Sequence, residues 1–140
     1  MLLTPNQQDL VDAALDWITS KIEASEGFSV LLVSLHSEGK KGTKYSLETV
    51  EEGLVACRAD LQRDLSDASE YALVYDARIE LEKGGVTPVF IVRTESRMNS
   101  KTVQCIAPYR LEESGGAKEV ILADDPQLFE VEERWLLSDR

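Results

Sequence analysis

The feature that most constrains this chain is a two-residue alternation that begins at Tyr71. Charged residues occupy even positions from Asp76 to Glu82. A period of two predicts a long, half-buried β-strand. Gly84-Gly85 follows, and it predicts a two-residue primed turn, because both central residues of such a turn need positive φ. The apolar residues occupy the odd positions Tyr71, Leu73, Tyr75, Ala77, Ile79 and Leu81.

Two turns predict the register of a three-stranded antiparallel meander. With Gly84-Gly85 at the centre of the first turn, Ala77 lies opposite Val92. A second turn at 97–100 places Val92 opposite Cys105. Both pairings keep apolar residues on one face of the sheet, and a slip of one residue would exchange the two faces.

The first half of the chain predicts two helices around a buried strand. Thr4, Pro5 and Gln7 are typical of a capping box, and the apolar spacing that follows predicts a helix to about Ser25. The apolar run 28–35 predicts a buried strand. The polar segment 38–44 predicts a loop, with a brief return strand at 44–46. Ser46 is the expected N-cap of a second helix, whose apolar stripe is Leu47, Val50, Leu54, Cys57, Leu61 and Leu65.

The chain ends, by the same criteria, in a short strand and a helix. Residues 119–122 predict the strand. Asp125-Pro126 predicts the start of a helix that carries Leu128, Phe129, Trp135 and Leu136.

The resulting order is α-β-β-α-β-β-β followed by a strand and a helix, in one α+β domain over 1–140 with a mainly antiparallel sheet. This layout resembles profilin-like and roadblock-type domains and, more loosely, the small acidic chaperones of bacterial secretion systems. The resemblance is an analogy of element order and charge alone. It implies no function, because one fold hosts many functions.

Composition narrows the expected partners. The net charge is −11, from 26 acidic and 15 basic residues, which disfavours nucleic acid and anionic membrane and favours a basic protein surface. No run approaches the roughly 20 apolar residues of a membrane span, and the N-terminus lacks a signal-peptide pattern. We therefore expect a soluble, cytoplasmic protein. Cys57 and Cys105 are then expected to be buried, unbridged and directed into one core.

No residue pattern indicates catalysis, a metal or a cofactor. His36 is the single histidine and adjoins no nucleophile motif, so we expect no catalytic role for it. The glycine-lysine segment 39–44 departs from the order of a phosphate-binding loop. The acidic groups lack the ligand spacing of a calcium loop, and they comprise Asp64, Asp67 and Glu70, and Asp124-Asp125.

The second face of the meander is the candidate interaction face. Apolar residues stand there among charges, and such a surface is usually covered. The expected cover is a helix of the same chain, a second copy or a partner. Asp76 is expected opposite Arg93 as a cross-strand pair. The face comprises Val74, Asp76, Arg78, Val89, Ile91, Arg93, Gln104 and Ile106.

The function hypothesis is a non-catalytic protein-interaction module, expected to be a homodimer. It could act as an adaptor, a chaperone-like escort, or an antitoxin or immunity protein. One alternative is a small-ligand-binding domain that uses Arg93, Asp76 or Tyr75. A second alternative is an enzyme that relies on carboxylates, such as Asp76 with Glu80 or Glu95.

Overall fold

A computed structural model describes residues 3–98, 102–123, 126–131, 133 and 135–136. Within these residues two helices and seven strands form an α+β fold with an antiparallel sheet. The helices are α1 (Pro5–Glu23) and α2 (Val50–Leu61). The strands are β1 (Val30–His36), β2 (Gly39–Tyr45), β3 (Glu70–Glu80), β4 (Val86–Ser96), β5 (Thr102–Ser114), β6 (Ala117–Leu122) and β7 (Gln127–Val131).

The sheet has the order β2-β1-β3-β4-β5-β6, and β7 pairs with β5. β6 pairs with the second half of β5, and β7 pairs with its first half. The two helices lie on opposite faces of the sheet, which we call the α1 face and the α2 face. No helix among the described residues is long and apolar enough to cross a membrane.

Each face carries its own apolar cluster. On the α1 face, Leu10, Ala14 and Ile18 pack against a cluster that includes Val74 and Val92. The cluster on the α2 face joins the helix to β1 and β3, and its members are Val30, Leu32, Tyr45, Cys57, Leu61, Leu65, Tyr71, Leu73, Trp135 and Leu136. The fold is therefore a sheet with a core on each side.

The capping residues explain where both helices begin. Thr4 and Gln7 form the predicted capping box, and Pro5 stands at the first helical position. The second helix begins later than predicted, because Thr49 and not Ser46 is its N-cap and forms a second capping box with Glu52.

Two predicted elements were wrong. The lysine-rich segment 39–44 is a strand at the edge of the sheet, where lysines are favoured because they discourage pairing with another chain. The predicted C-terminal helix is absent from the described residues, where Leu128 and Phe129 belong to β7. Asp125, its predicted first residue, and Asp124 lie outside the described residues, as do Asn99 and Ser100 of the second turn.

The register between β4 and β5 is confirmed, and that between β3 and β4 was wrong. Val92 pairs with Cys105 as predicted. However, Ala77 pairs with Val89 and not with Val92. The hairpin turns through 81–85: the Gly84 amide donates to the Leu81 carbonyl (2.9 Å), and the Leu81 amide donates to the Gly85 carbonyl (3.0 Å). Both glycines have positive φ, but in a loop longer than two residues.

The shift in register moves every β3 side chain to the other face relative to β4. Val74 belongs to the α1-face cluster. Asp76 also faces that side, where the Tyr109 hydroxyl donates to its carboxylate (2.8 Å). Arg78 donates to Asp76 (3.0 Å). The predicted Asp76–Arg93 pair does not form, because Arg93 lies opposite Leu73.

The cysteines are buried and unbridged, as predicted. They do not share one core, because Cys57 belongs to the α2-face cluster and Cys105 to the α1-face cluster.

Gly53 sets the distance between α2 and β1. A Cβ atom there would lie 2.6 Å from Ser29 Oγ and 2.8 Å from Val30 Cγ2. Gly53→Ala should therefore lower the free energy of unfolding by about 1–3 kcal/mol, although alanine is the better helix former. Urea denaturation followed by circular dichroism measures the change.

Gly27→Ala is the matched control, because a Cβ at Gly27 meets nothing within 4 Å. Its stability should stay within about 0.5 kcal/mol of the parent or rise slightly. Equal effects of the two substitutions would contradict a close approach at Gly53.

Candidate functional site

Part of the α2 face lies beyond α2. That helix approaches β1 and β2, whereas β4 and β5 run past it. Tyr75 pairs with Ile91, and Ile91 pairs with Ile106. These three side chains form a row across the sheet, and each is partly exposed. Among the described residues, neither apolar cluster includes Ile91 or Ile106.

The next pairs along the strands continue this apolar surface. Ala77 pairs with Val89, and Val89 pairs with Pro108. Ile79 then pairs with Thr87. We call the partly exposed apolar residues of these pairs the open floor, and its members are Tyr75, Ala77, Ile79, Ile91, Ile106 and Pro108.

A groove of about 370 Å³ lies at the hairpin end of the open floor. Leu81, at the start of the hairpin loop, is 48% exposed beside it. The remaining residues that line the groove are Ile79, Thr87, Ile106, Pro108 and Gln127. Among the described residues of this lining none is titratable, so they offer an apolar contact surface without acid–base groups.

The opposite end of the α2 face is covered by Glu133, Trp135 and Leu136, which we call the C-terminal segment. The indole of Trp135 lies over the Arg93 guanidinium, with 4.1 Å between the guanidinium carbon and the ring centroid. Arg93 also donates to the Glu133 carbonyl (2.6 Å). On α2, Arg58 donates to the Glu133 carboxylate (2.9 Å). The segment is therefore held by a cation–π contact at Trp135 and by hydrogen bonds from Arg93 and Arg58 to the carbonyl and the carboxylate of Glu133.

Beneath this segment lies a buried charge network. Glu95 is fully buried, and it accepts hydrogen bonds from the Tyr71 hydroxyl (2.6 Å) and the Trp135 amide (2.7 Å). Arg93 donates to the Tyr71 hydroxyl (2.9 Å), and its guanidinium lies 3.7 Å from Glu95. Each charged group thus has polar partners, as burial of a charge requires.

The sequence-predicted face is therefore divided between the two sides of the sheet. Val89, Ile91 and Ile106 lie at or beside the open floor, and Arg93 and Gln104 lie in the next row toward the C-terminal segment. Val74, Asp76 and Arg78 lie on the α1 face. Sequence reasoning missed the partners of Arg93; a charged residue inside an apolar strand was the available signal.

This geometry does not bring Asp76 together with Arg93 or with Glu95. Asp76 and Arg93 lie on opposite faces, so these two residues do not line one small-ligand site, whereas Tyr75 lies on the same face as Arg93. Likewise Glu95 belongs to the α2-face network, and Asp76 bonds Tyr109 on the α1 face. A carboxylate pair of Asp76 with Glu95 is therefore not formed.

His36 lies in an arrangement that sequence reasoning did not predict. Its Nε2 is 2.7 Å from Ser34 Oγ, and its Nδ1 is 3.0 Å from Asp67 Oδ1. The connectivity is that of a serine–histidine–aspartate triad. However, Ser34 is fully buried, and it does not line the adjoining hollow of about 300 Å³. A substrate therefore has no access to the hydroxyl, and the contacts tie the loop after α2 to β1.

No group of three or more metal-ligating side chains lies together among the described residues. Comparison of the chain with protein-family models, curated proteins and solved structures gave no match.

Removal of Glu95 should be strongly destabilising, because it would leave Arg93 buried without its carboxylate. We expect Glu95→Ala to lower the free energy of unfolding by about 3–5 kcal/mol. Glu112→Ala is the matched control, since it breaks the exposed Arg110–Glu112 pair and should cost less than about 1 kcal/mol. Urea denaturation compares them, and equally small losses would contradict the network.

The protein should lose stability in alkaline solution. Burial raises the pKa of the Cys57 thiol, and burial together with Glu95 raises the pKa of Tyr71. The unfolded chain loses the Cys57 proton above about pH 8.5 and the Tyr71 proton above about pH 10, while the folded chain keeps them to higher pH. The free energy of unfolding should therefore fall as the pH rises, by up to about 1.4 kcal/mol per pH unit for each such group.

Urea denaturation between pH 7 and 10.5 measures this slope. Cys57→Ala should make the decline shallower, because it removes one of the groups that differ between the two states. A stability that rises with pH over this range would contradict the assignment.

Proposed function

We propose that this chain is a non-catalytic, cytoplasmic protein-binding module whose binding surface is the open floor. The observation that carries the proposal is the partly exposed row Tyr75–Ile91–Ile106 beside a fully built core on the same face. A contiguous apolar surface of this kind is favoured where another molecule covers it.

The shape and chemistry of the surface favour a protein over a small molecule. Small-molecule sites are concave and combine apolar walls with a few converging polar groups. Among the described residues that line the groove at the open floor, Thr87 and Gln127 are the polar ones. An apolar side chain of another protein would fill such a groove.

The charge of the chain supports a basic partner. At a net charge of −11, the chain attracts positively charged protein surfaces, and this attraction raises the rate of encounter. The free, buried thiols fit a reducing compartment, which is why the proposal places the protein in the cytoplasm.

The homodimer stays a prediction. A dimer built on the open floor would be isologous, so that Ile106 of each copy meets the floor of the other. Two chains of the same strong negative charge repel at long range. We therefore propose a different protein, and not a second copy, as the partner.

The test places a photoreactive phenylalanine analogue at Ile106 and, as a control, at Leu111. Leu111 is 48% exposed on the same strand, beyond the open floor. Irradiation of cells that make the protein should give a discrete adduct with another protein from position 106 and none from position 111. Adducts between two copies of the chain from position 106 would overturn the different-protein partner and support the homodimer. Absence of any adduct from position 106, or equal adducts from both, would overturn the proposal.

A further inference from the structure

We propose that the occupant of the open floor is an amphipathic helix of the partner, with basic residues along the edge that meets α2. The inference rests on the proposed function and specifies the chemistry of the partner. It follows from the pairing of the floor strands, the dimensions of the floor and the charges beside it.

Backbone pairing excludes an added strand between the strands of the floor. From Val89 to Glu95, β4 is paired on both sides, by β3 and β5. β5 is paired on its other side by β7 and β6. β1 pairs with β3 only from Glu70 to Val74, so the backbone edge of β3 borders the floor, and the face of the floor itself offers side chains. A helix suits such a surface, because it satisfies its own backbone hydrogen bonds and presents only side chains.

The dimensions of the floor match one helix. Neighbouring strands lie about 4.8 Å apart, so β3, β4 and β5 span about 10 Å, the diameter of a helix with its side chains. From Tyr75 to Ile79 the floor runs along β3 for about 13 Å at the rise of a strand. A helix covers that length in about nine residues.

The flank of α2 beside the floor carries Glu51 at its start and Arg58, which is paired with Glu133, near its end. Burial raises the pKa of Tyr75, Arg93 lowers it and the charge of Glu51 raises it, so this carboxylate lies on the side of α2 toward Tyr75. Val55, one turn along the same flank, is 71% exposed. Glu48 and Glu52 are exposed near the start of the helix. A neighbouring helix would meet these carboxylates, and Lys or Arg on that edge would pair with them.

A second copy of this chain does not fit that description. α1 carries Asp9, Asp12, Asp16 and Glu23 against the single base Lys21. α2 carries three acidic residues against Arg58. Both described helices are acidic, so neither supplies a basic edge for the floor of another copy.

The experiment titrates the full chain into fluorescently labelled synthetic helices and measures anisotropy. The probe has 14 residues, with leucine on one face and lysine on both edges. A second peptide has glutamate in place of lysine, and a third has two central residues replaced by proline to break the helix. We expect the lysine helix to bind at least tenfold more tightly than either of the others, and its affinity to fall as salt increases.

Substitutions in this chain show where the lysine helix binds. Ile106→Glu and Ile79→Glu should each weaken the lysine helix at least tenfold, while the control Leu111→Glu should change its affinity less than twofold. Glu51→Gln should weaken it several-fold. Circular dichroism verifies that each variant is folded. If one of the two floor variants is unfolded, the other alone tests whether the peptide binds at the floor.

Two results would overturn the inference: binding that survives the floor substitution in every floor variant that is folded, or a proline peptide that binds as tightly as the lysine helix. Photo-adducts at position 106 together with either result would leave the protein-binding proposal standing and remove only the helical partner. Absence of adducts would remove the protein-binding proposal itself.

Discussion

The register between β3 and β4 decides which side chains each face of the sheet carries. Because Ala77 pairs with Val89, Val74 and Phe90 enter the α1-face core, and Tyr75 and Ile91 share the α2 face. A one-residue slip would bury Arg93 beneath α1 and expose Val92. Both cores, the buried charge network and the open floor therefore depend on this single ladder.

Much of the fold could be predicted from local patterns, and the failures have physical causes. The capping box at Thr4 and the β4–β5 register were predicted correctly, because the residues at these positions favour a single structural role. The predicted β3–β4 register was wrong because residues 71–74 are buried on both faces of the sheet. The alternation of residue types there does not indicate which residues face α1 and which face α2. Gly84-Gly85 also fits either of two hairpin loops, and only the packing of the strands chooses between them.

The candidate site was harder to predict than the fold. Ile91, Ile106 and Arg93 were recognised from the sequence as members of the second face, but Asp76 was assigned there by the wrong register. The role of Trp135 in covering Arg93 depends on a contact between distant parts of the chain. Local patterns do not reveal such contacts, because the energy that selects them comes from tertiary burial.

The central claim is that the open floor is covered in the working protein. Isoleucine methyl NMR measures this directly, because Ile79, Ile91 and Ile106 lie on the floor, while Ile18 lies in the α1-face core. Spectra of the labelled protein, purified and then added to an extract of cells that normally make it, should show shifted or broadened floor methyl signals and an unchanged Ile18 signal. Floor signals that stay the same in the extract, at concentrations where the partner is present, would contradict the account.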